Sequence, residues 1–335
     1  MKLFHNFVLF LLENCCMRLI HSILFSLIFI SISSAQDDIV QLKNVSDTIL
    51  NPKRTLKISD PLNGIKTMQQ LFPGRLYKKS SYNTFISWKC NTCKPTTYTD
   101  VNGVEEDPLF PYAEGVATRL DTTINYTDSK GNQFKMLVFN HSVYDADGSQ
   151  TGRFSGGLLG LAKFAKNGSV WEMKSYQPAI AAFGAFSHIP ALKLVEIGED
   201  QYAFSLIHAN GGAGGPYNAY LYLIVGFNGK YQTLMELGDY RLSNNAEGST
   251  EWSSTYKVVN DGKKKFFRDF TITTTGFYKK AKGTEEDFEV EMPKELSEMA
   301  KTKKQFNFTI EKRLSFDGKW YTIVGKPVVK YYNIK

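Results

Sequence analysis

One device recurs along this chain and limits what it can fold into. A run of alternating apolar residues meets an Asn-Gly or Asp-Gly pair, and an aromatic-rich run comes next. The clearest copy spans Arg313 to Val324 around Asp317-Gly318. The stretches around Asn167-Gly168, Asn228-Gly229 and Asp261-Gly262 repeat it, and Asn102-Gly103 and Lys130-Gly131-Asn132 are weaker copies. Asn-Gly and Asp-Gly accept the positive φ of a tight hairpin turn, so each pair predicts two antiparallel strands. Gly198-Glu199-Asp200 predicts one more turn.

The turn glycines Gly103, Gly131, Gly168, Gly198, Gly229, Gly262 and Gly318 lie mostly about thirty residues apart. This spacing predicts an all-β chain built mainly of antiparallel hairpins in a meander. At this length such a meander closes into a β-propeller-like single domain or, as the alternative, splits into packed β-sandwiches. An aromatic content of 14% suits pleated, half-buried surfaces. Gly152–Phe164 and Ala179–Leu194 are rich in small and apolar residues, the pattern of strands buried on both faces.

Two short helices are predicted. Near 61–72, Asp60 serves as cap, Pro61 as first helical residue and Pro73-Gly74 as stop, with Ile65, Met68, Leu71 and Phe72 on the buried face. Near 293–304, Pro293 opens the helix, Leu296, Met299 and Ala300 share a face, and Lys301, Lys303 and Lys304 complement the negative end of the helix dipole.

The N-terminal residues speak to compartment. Met17-Arg18 precedes the mainly apolar Leu19–Ile32, and Ser33-Ser34-Ala35 offers the small residues of a signal-peptidase site before Gln36. The chain is thus expected to be exported, periplasmic or secreted, with Met17 as the start or, as the alternative, a long signal peptide beginning at Met1. Cys15 and Cys16 come after residues too polar and bulky for a lipoprotein signal. No apolar run reaches the roughly 20 residues that span a bilayer, so no transmembrane segment is expected after signal removal. The expected organisation is a signal peptide over 1–35, a polar lead-in over 36–60 and a β-rich domain over 61–335.

Charge is unevenly spread. Residues 36–256 hold 20 Lys and Arg against 21 Asp and Glu, whereas residues 257–335 hold 18 against 11. A basic last quarter steers anionic partners, which for an exported protein means envelope glycan, anionic lipid or an acidic protein. Lys263-Lys264-Lys265-Phe266-Phe267-Arg268 mixes cations and aromatics as nucleic-acid binders do. Export argues against nucleic acid, and the same residues read as one arm of a hairpin, exposed at its start.

Motifs for chemistry are few. Cys90-Asn91-Thr92-Cys93 lacks a second Cys pair for a zinc site and a His for haem attachment. The Pro95–Thr99 stretch after it is extended rather than helical. A local disulfide in an oxidising compartment is the plain reading. Asp145-Ala146-Asp147-Gly148-Ser149 resembles the front of a calcium loop without its closing carboxylate. His141, His188 and His208 are scattered. Ser155 lacks the surroundings of a nucleophile elbow, and neither a metal nor a cofactor is expected. The Asn-x-Ser/Thr sequons at Asn44, Asn125, Asn140, Asn167 and Asn307 matter only in a eukaryotic secretory route.

The remaining candidate is a glycine-rich loop that departs from the hairpin series. His208, Asn210, Gly211, Gly212, Gly214, Gly215 and Tyr217 are its candidate binding residues, with Tyr217 as aromatic anchor. The function expected from these features is a non-catalytic exported binding protein that recognises another protein, in an inhibitor or immunity-type role. The alternatives are an envelope glycan hydrolase, or an anionic glycan- or lipid-binding module using the basic last quarter.

Overall fold

A computed structural model describes residues 40–80, 83–103, 106, 108–143, 152–211, 217–243, 250–280 and 292–335. The expected signal peptide, the Asp145–Ser149 motif and glycines Gly212, Gly214 and Gly215 lie outside the described residues. The chain is mostly β, as the hairpin repeat predicts.

The strands before residue 190 are β1 (Lys43–Asn44), β2 (Lys57–Ser59), β3 (Arg75–Lys78), β4 (Thr84–Lys89), β5 (Thr96–Thr97), β6 (Thr99–Asp100), β7 (Leu109–Phe110), β8 (Val116–Thr127), β9 (Gln133–Ser142), β10 (Gly157–Asn167), β11 (Val170–Gln177) and β12 (Ala181–Phe183). The first sheet runs β1-β4-β8-β9-β10-β11-β2, with β3 on β4, β12 on β10 and β6 on β12. Among the described residues only β1–β4 and β6–β12 are parallel pairs. β5 and β7 form a small pair of their own.

The rest of the chain makes the second sheet: β13 (Lys193–Gly198), β14 (Gln201–Gly211), β15 (Tyr217–Phe227), β16 (Lys230–Ser243), β17 (Glu251–Val258), β18 (Phe270–Lys279), β19 (Gln305–Phe316) and β20 (Tyr321–Tyr332). It is a pure meander, bonded in sequence order from β13 to β20. This corrects the propeller expectation. Propeller blades are separate four-stranded sheets, whereas here every hairpin also pairs with the next. Turn spacing specifies hairpins but is silent on whether their outer strands bond.

The two sheets pack face to face, the sandwich-like alternative. Met136, Val138, Leu159 and Leu161 of the first sheet meet Phe204, Leu206, Tyr222 and Ile224 of the second, with Phe183 between them. On its other face the first sheet buries Trp88, Leu137, Phe139 and Phe164 against the N-terminal elements. β9 and β10 are therefore covered on both sides, which explains the unbroken apolar run in Gly152–Phe164. The second sheet curls. β16 and β17 pair only at Arg241–Ser253 and Leu242–Trp252. Beyond that split, Leu221, Leu223 and Val225 of β15 share a core with Phe270, Ile272, Leu314 and Tyr321.

Helix α1 (Gly64–Leu71) lies within the first predicted helical stretch but starts later. Asn63 caps it, accepting the Lys66 N–H at 3.0 Å. Asp60 instead accepts Trp171 Nε1–H at 2.7 Å and pairs with Lys166 at 3.0 Å, and the Asp60–Pro61 peptide is cis. Met68, Leu71 and Phe72 are fully buried, while Ile65 is half-buried and Thr67 takes its inward place. The stretch 43–59, read from sequence as a lead-in, supplies β1, β2 and the buried Val45, Ile49 and Ile58. Helix α2 (Ser297–Thr302) comes after a 3-10 turn over Lys294–Leu296 and buries Leu296 and Ala300 against Trp252, Phe306 and Phe308. Among the described residues no helix is long and apolar enough to cross a membrane.

Six of the seven turn glycines adopt positive φ; at Gly198 the left-handed residue is instead Asp200, two places on. Cys90 and Cys93 are disulfide-bonded, with Cα atoms 5.3 Å apart, and Cys90 belongs to the first core. The chain after Cys93 is extended through β5 and β6, as its composition predicts.

Candidate functional site

β14 and β15 stay paired up to Gly211–Tyr217, the last rung of their ladder. His208, Asn210, Gly211 and Tyr217 are thus strand residues rather than loop residues, a correction to the sequence reading. Apolar alternation continues through Ile207, so the glycines hide how far the ladder reaches.

His208, Asn210 and Tyr217 each meet a residue from the segments that flank strands of the first sheet. His208 is buried, and its Nδ1 accepts the Gly184 N–H at 2.9 Å. An accepting Nδ1 places the ring proton on Nε2. Burial pushes the His208 pKa down, with an opposing pull from Asp100, so the ring is neutral. Asn102 Nδ2 donates to the Gly184 carbonyl at 2.9 Å, and Asn210 Nδ2 donates to Asn102 Oδ1. His208 and Asn210 therefore fix the backbone at Gly184.

The backbone just beyond Gly184 is the most unusual near the loop. Ala185 and His188 bond reciprocally around a two-residue turn. Its central residues are Phe186 (φ 51°) and Ser187 (φ 61°). Such turns prefer Asn-Gly, because the left-handed conformation costs an ordinary L-residue roughly 1–2 kcal/mol. Two bonds hold this one: Ser187 N–H donates to the Ser155 carbonyl at 2.8 Å, and Asn140 Nδ2 donates to the Ser187 carbonyl at 2.7 Å. Phe154 and Phe186 precede the two joined serines, and each is 49% exposed. The Arg153 guanidinium lies 5.7 Å from the Tyr217 ring centroid. A cavity of about 290 Å³ opens here, its walls including Tyr98, Asp100, Phe110, Ser142, Arg153 and Phe154. The strands thus bring Tyr217 against Arg153, next to the exposed Phe154, while His208 and Asn210 hold the backbone that leads into Phe186. Sequence reasoning missed Asn102, Arg153, Phe154 and Phe186; Phe-Ser at a tight turn leaves no local signature.

The other candidates sit elsewhere. His141 is wholly buried in the first core, its Nδ1 2.7 Å from the Thr118 hydroxyl, which also accepts Trp88 Nε1–H. Burial holds its pKa down to about 3, against a weak opposing pull from the Pro178 carbonyl, which closes no well-formed bond to Nε2. His188 is half-buried, and burial also lowers its pKa. Among the described residues no three His, Cys, Asp or Glu side chains group as metal ligands.

The Lys263–Arg268 run is not a hairpin arm. It is a loop laid on the β13–β14 turn, where Glu199 N–H donates to the Lys265 carbonyl and Arg268 N–H to the Ile197 carbonyl. Its cations are matched: Lys264 with Asp269 at 2.7 Å, Lys265 with Glu199 at 3.0 Å and Arg268 with Glu196 at 3.0 Å. Burial alone would raise the Asp269 pKa, but Lys264 and Arg313 outweigh it and hold the carboxyl below its usual range. The Lys265–Glu199 and Arg268–Glu196 pairs tie this loop to the β13 end of the second sheet, while Lys264–Asp269 closes within the loop itself. No family model, curated protein or solved structure matches the chain.

Proposed function

We propose that this chain is an exported binding protein that recognises another protein through the rim of Arg153, Phe154, Phe186 and Tyr217. The observation that carries this reading is Phe186. A solvent-facing aromatic stands where the backbone favours Asn or Gly, and neighbouring strands hold it there. Strain maintained at an exposed position argues for use of the side chain. Aromatic and arginine side chains dominate the energetics of protein interfaces, and Phe, Tyr and Arg cluster here. An inhibitor or immunity-type role in the envelope fits an export signal joined to a stiff β scaffold.

The test compares the chain from Gln36 with Phe186→Asn, Phe154→Ser and Tyr217→Ala as capture baits in the native envelope extract. Asn suits the left-handed turn, so Phe186→Asn should match or exceed the parent's stability, by up to about 1 kcal/mol. It should nonetheless lose the captured partner. Tyr217→Ala should weaken that complex by about 1–3 kcal/mol with little change in melting temperature. Unchanged capture by all three folded variants would overturn the proposal. So would a large fall in melting temperature with unchanged binding for Tyr217→Ala.

A further inference from the structure

β20 is an edge of the second sheet and bonds to β19 alone. One row of its backbone N–H and C=O groups therefore has no strand partner among the described residues. Proteins commonly blunt such edges with charge, proline and bulges. β20 carries all three in its middle: Gly325 at φ 72°, then Lys326 and Pro327, where the ladder shifts register between Glu311 and Arg313. The segments on either side carry neither glycine nor proline, and Lys330 is the one charge within 328–334.

Those segments are apolar and open. Val328, Tyr332 and Ile334 are 55%, 41% and 45% exposed, alternating with Val329 and Tyr331, which pack inward near Phe306 and Phe308. Ile323 and Val324, beyond the break, are 45% and 40% exposed. Five of the eleven exposed large apolar side chains among the described residues thus lie within 323–334. An edge row of alternating outward apolar residues is what an added strand covers.

Charge narrows the occupant. Residues 318–335 hold Lys319, Lys326, Lys330 and Lys335 and no Asp or Glu. A second copy pairing antiparallel about Val328 would set lysine near lysine, which opposes self-association. We propose that β20 is a strand-addition site for an extended acidic segment of a partner protein, one with apolar residues at alternate positions. Neither this proposal nor that of the aromatic rim depends on the other.

The probe is an eight-residue peptide of alternating glutamate and valine, with a lysine–valine counterpart as control. Titration calorimetry on the chain from Gln36 should show saturable binding of the acidic peptide alone, weakening as salt rises. Lys326→Glu combined with Lys330→Glu should weaken it at least about tenfold. Both lysines are exposed, so the melting temperature should hold. Amide exchange at 328–334 should slow on binding, which a merely electrostatic surface contact would not produce. Absence of binding, equal binding of the lysine peptide, indifference to the double variant, or slowed exchange elsewhere than β20 would overturn the proposal. So would a dimer by sedimentation that protects 328–334, because the occupant would then be a second copy.

Discussion

His141 shows how one buried residue sets a response of the whole chain. In the unfolded state its imidazole takes a proton near pH 6.5. In the core, burial among Phe72, Trp88 and Phe139 holds the pKa down to about 3. Between these values the unfolded state binds the extra proton, so stability falls as pH drops through that window. His188 and His208 are shifted in the same direction and add to the slope. Below about pH 4.5 Glu172 adds to it, since its hydrogen bonds with Lys174 and Lys57 hold its carboxyl down to about 2. Urea unfolding at pH 7 and pH 5 should therefore show a loss of stability that is smaller in His141→Gln. Equal losses in the two proteins would mean that His141 is not the buried neutral ring described.

At the scale of elements, the first helix separates two signals that look alike in sequence. Asp60-Pro61 carries the usual start pattern, but Asn63 is the residue whose side chain meets a helical N–H. Asn63→Ala should cost about 1 kcal/mol, read as a shift in the urea midpoint. Asp60 reads in the sequence as the helix cap, yet its partner Trp171 lies 111 residues away. The disulfide belongs to this scale too. Its cysteines are three residues apart, so the closed loop is short and Cys93→Ser should cost at most about 2 kcal/mol in unfolding free energy. Cys93 is the better probe, because Cys90 is a core residue and its replacement also removes packing.

For the whole molecule, export is the proposal that most shapes function. Mass spectrometry of the protein from the native envelope should find Gln36 first, intact or cyclised. Recovery of a chain that still carries residues 1–35 would contradict it. The charge asymmetry acquires a location at this scale. Lys264, Lys265 and Arg268 are paired with carboxylates of the loop and of the β13–β14 turn, whereas Lys326 and Lys330 lie in the edge strand β20.

By itself the sequence determined what is local. Positive-φ turn chemistry located the hairpins except at Asn102-Gly103, where β6 pairs with β12 and β7 with β5; alternation marked half-buried strands, and two cysteines three apart specified their own bond. All of these depend on residues within a few positions of one another. Only the tertiary structure decided what depends on distant partners: that the hairpins join into continuous sheets, that the first sheet packs on β14 and β15, and that 43–59 is core. The candidate rim is the sharpest case. Phe186 was invisible in sequence because the bonds that hold its turn come from distant residues: Ser155 and Asn140 bond Ser187 just after it, and His208 bonds Gly184 just before it. A turn over-determined from outside needs no turn sequence of its own.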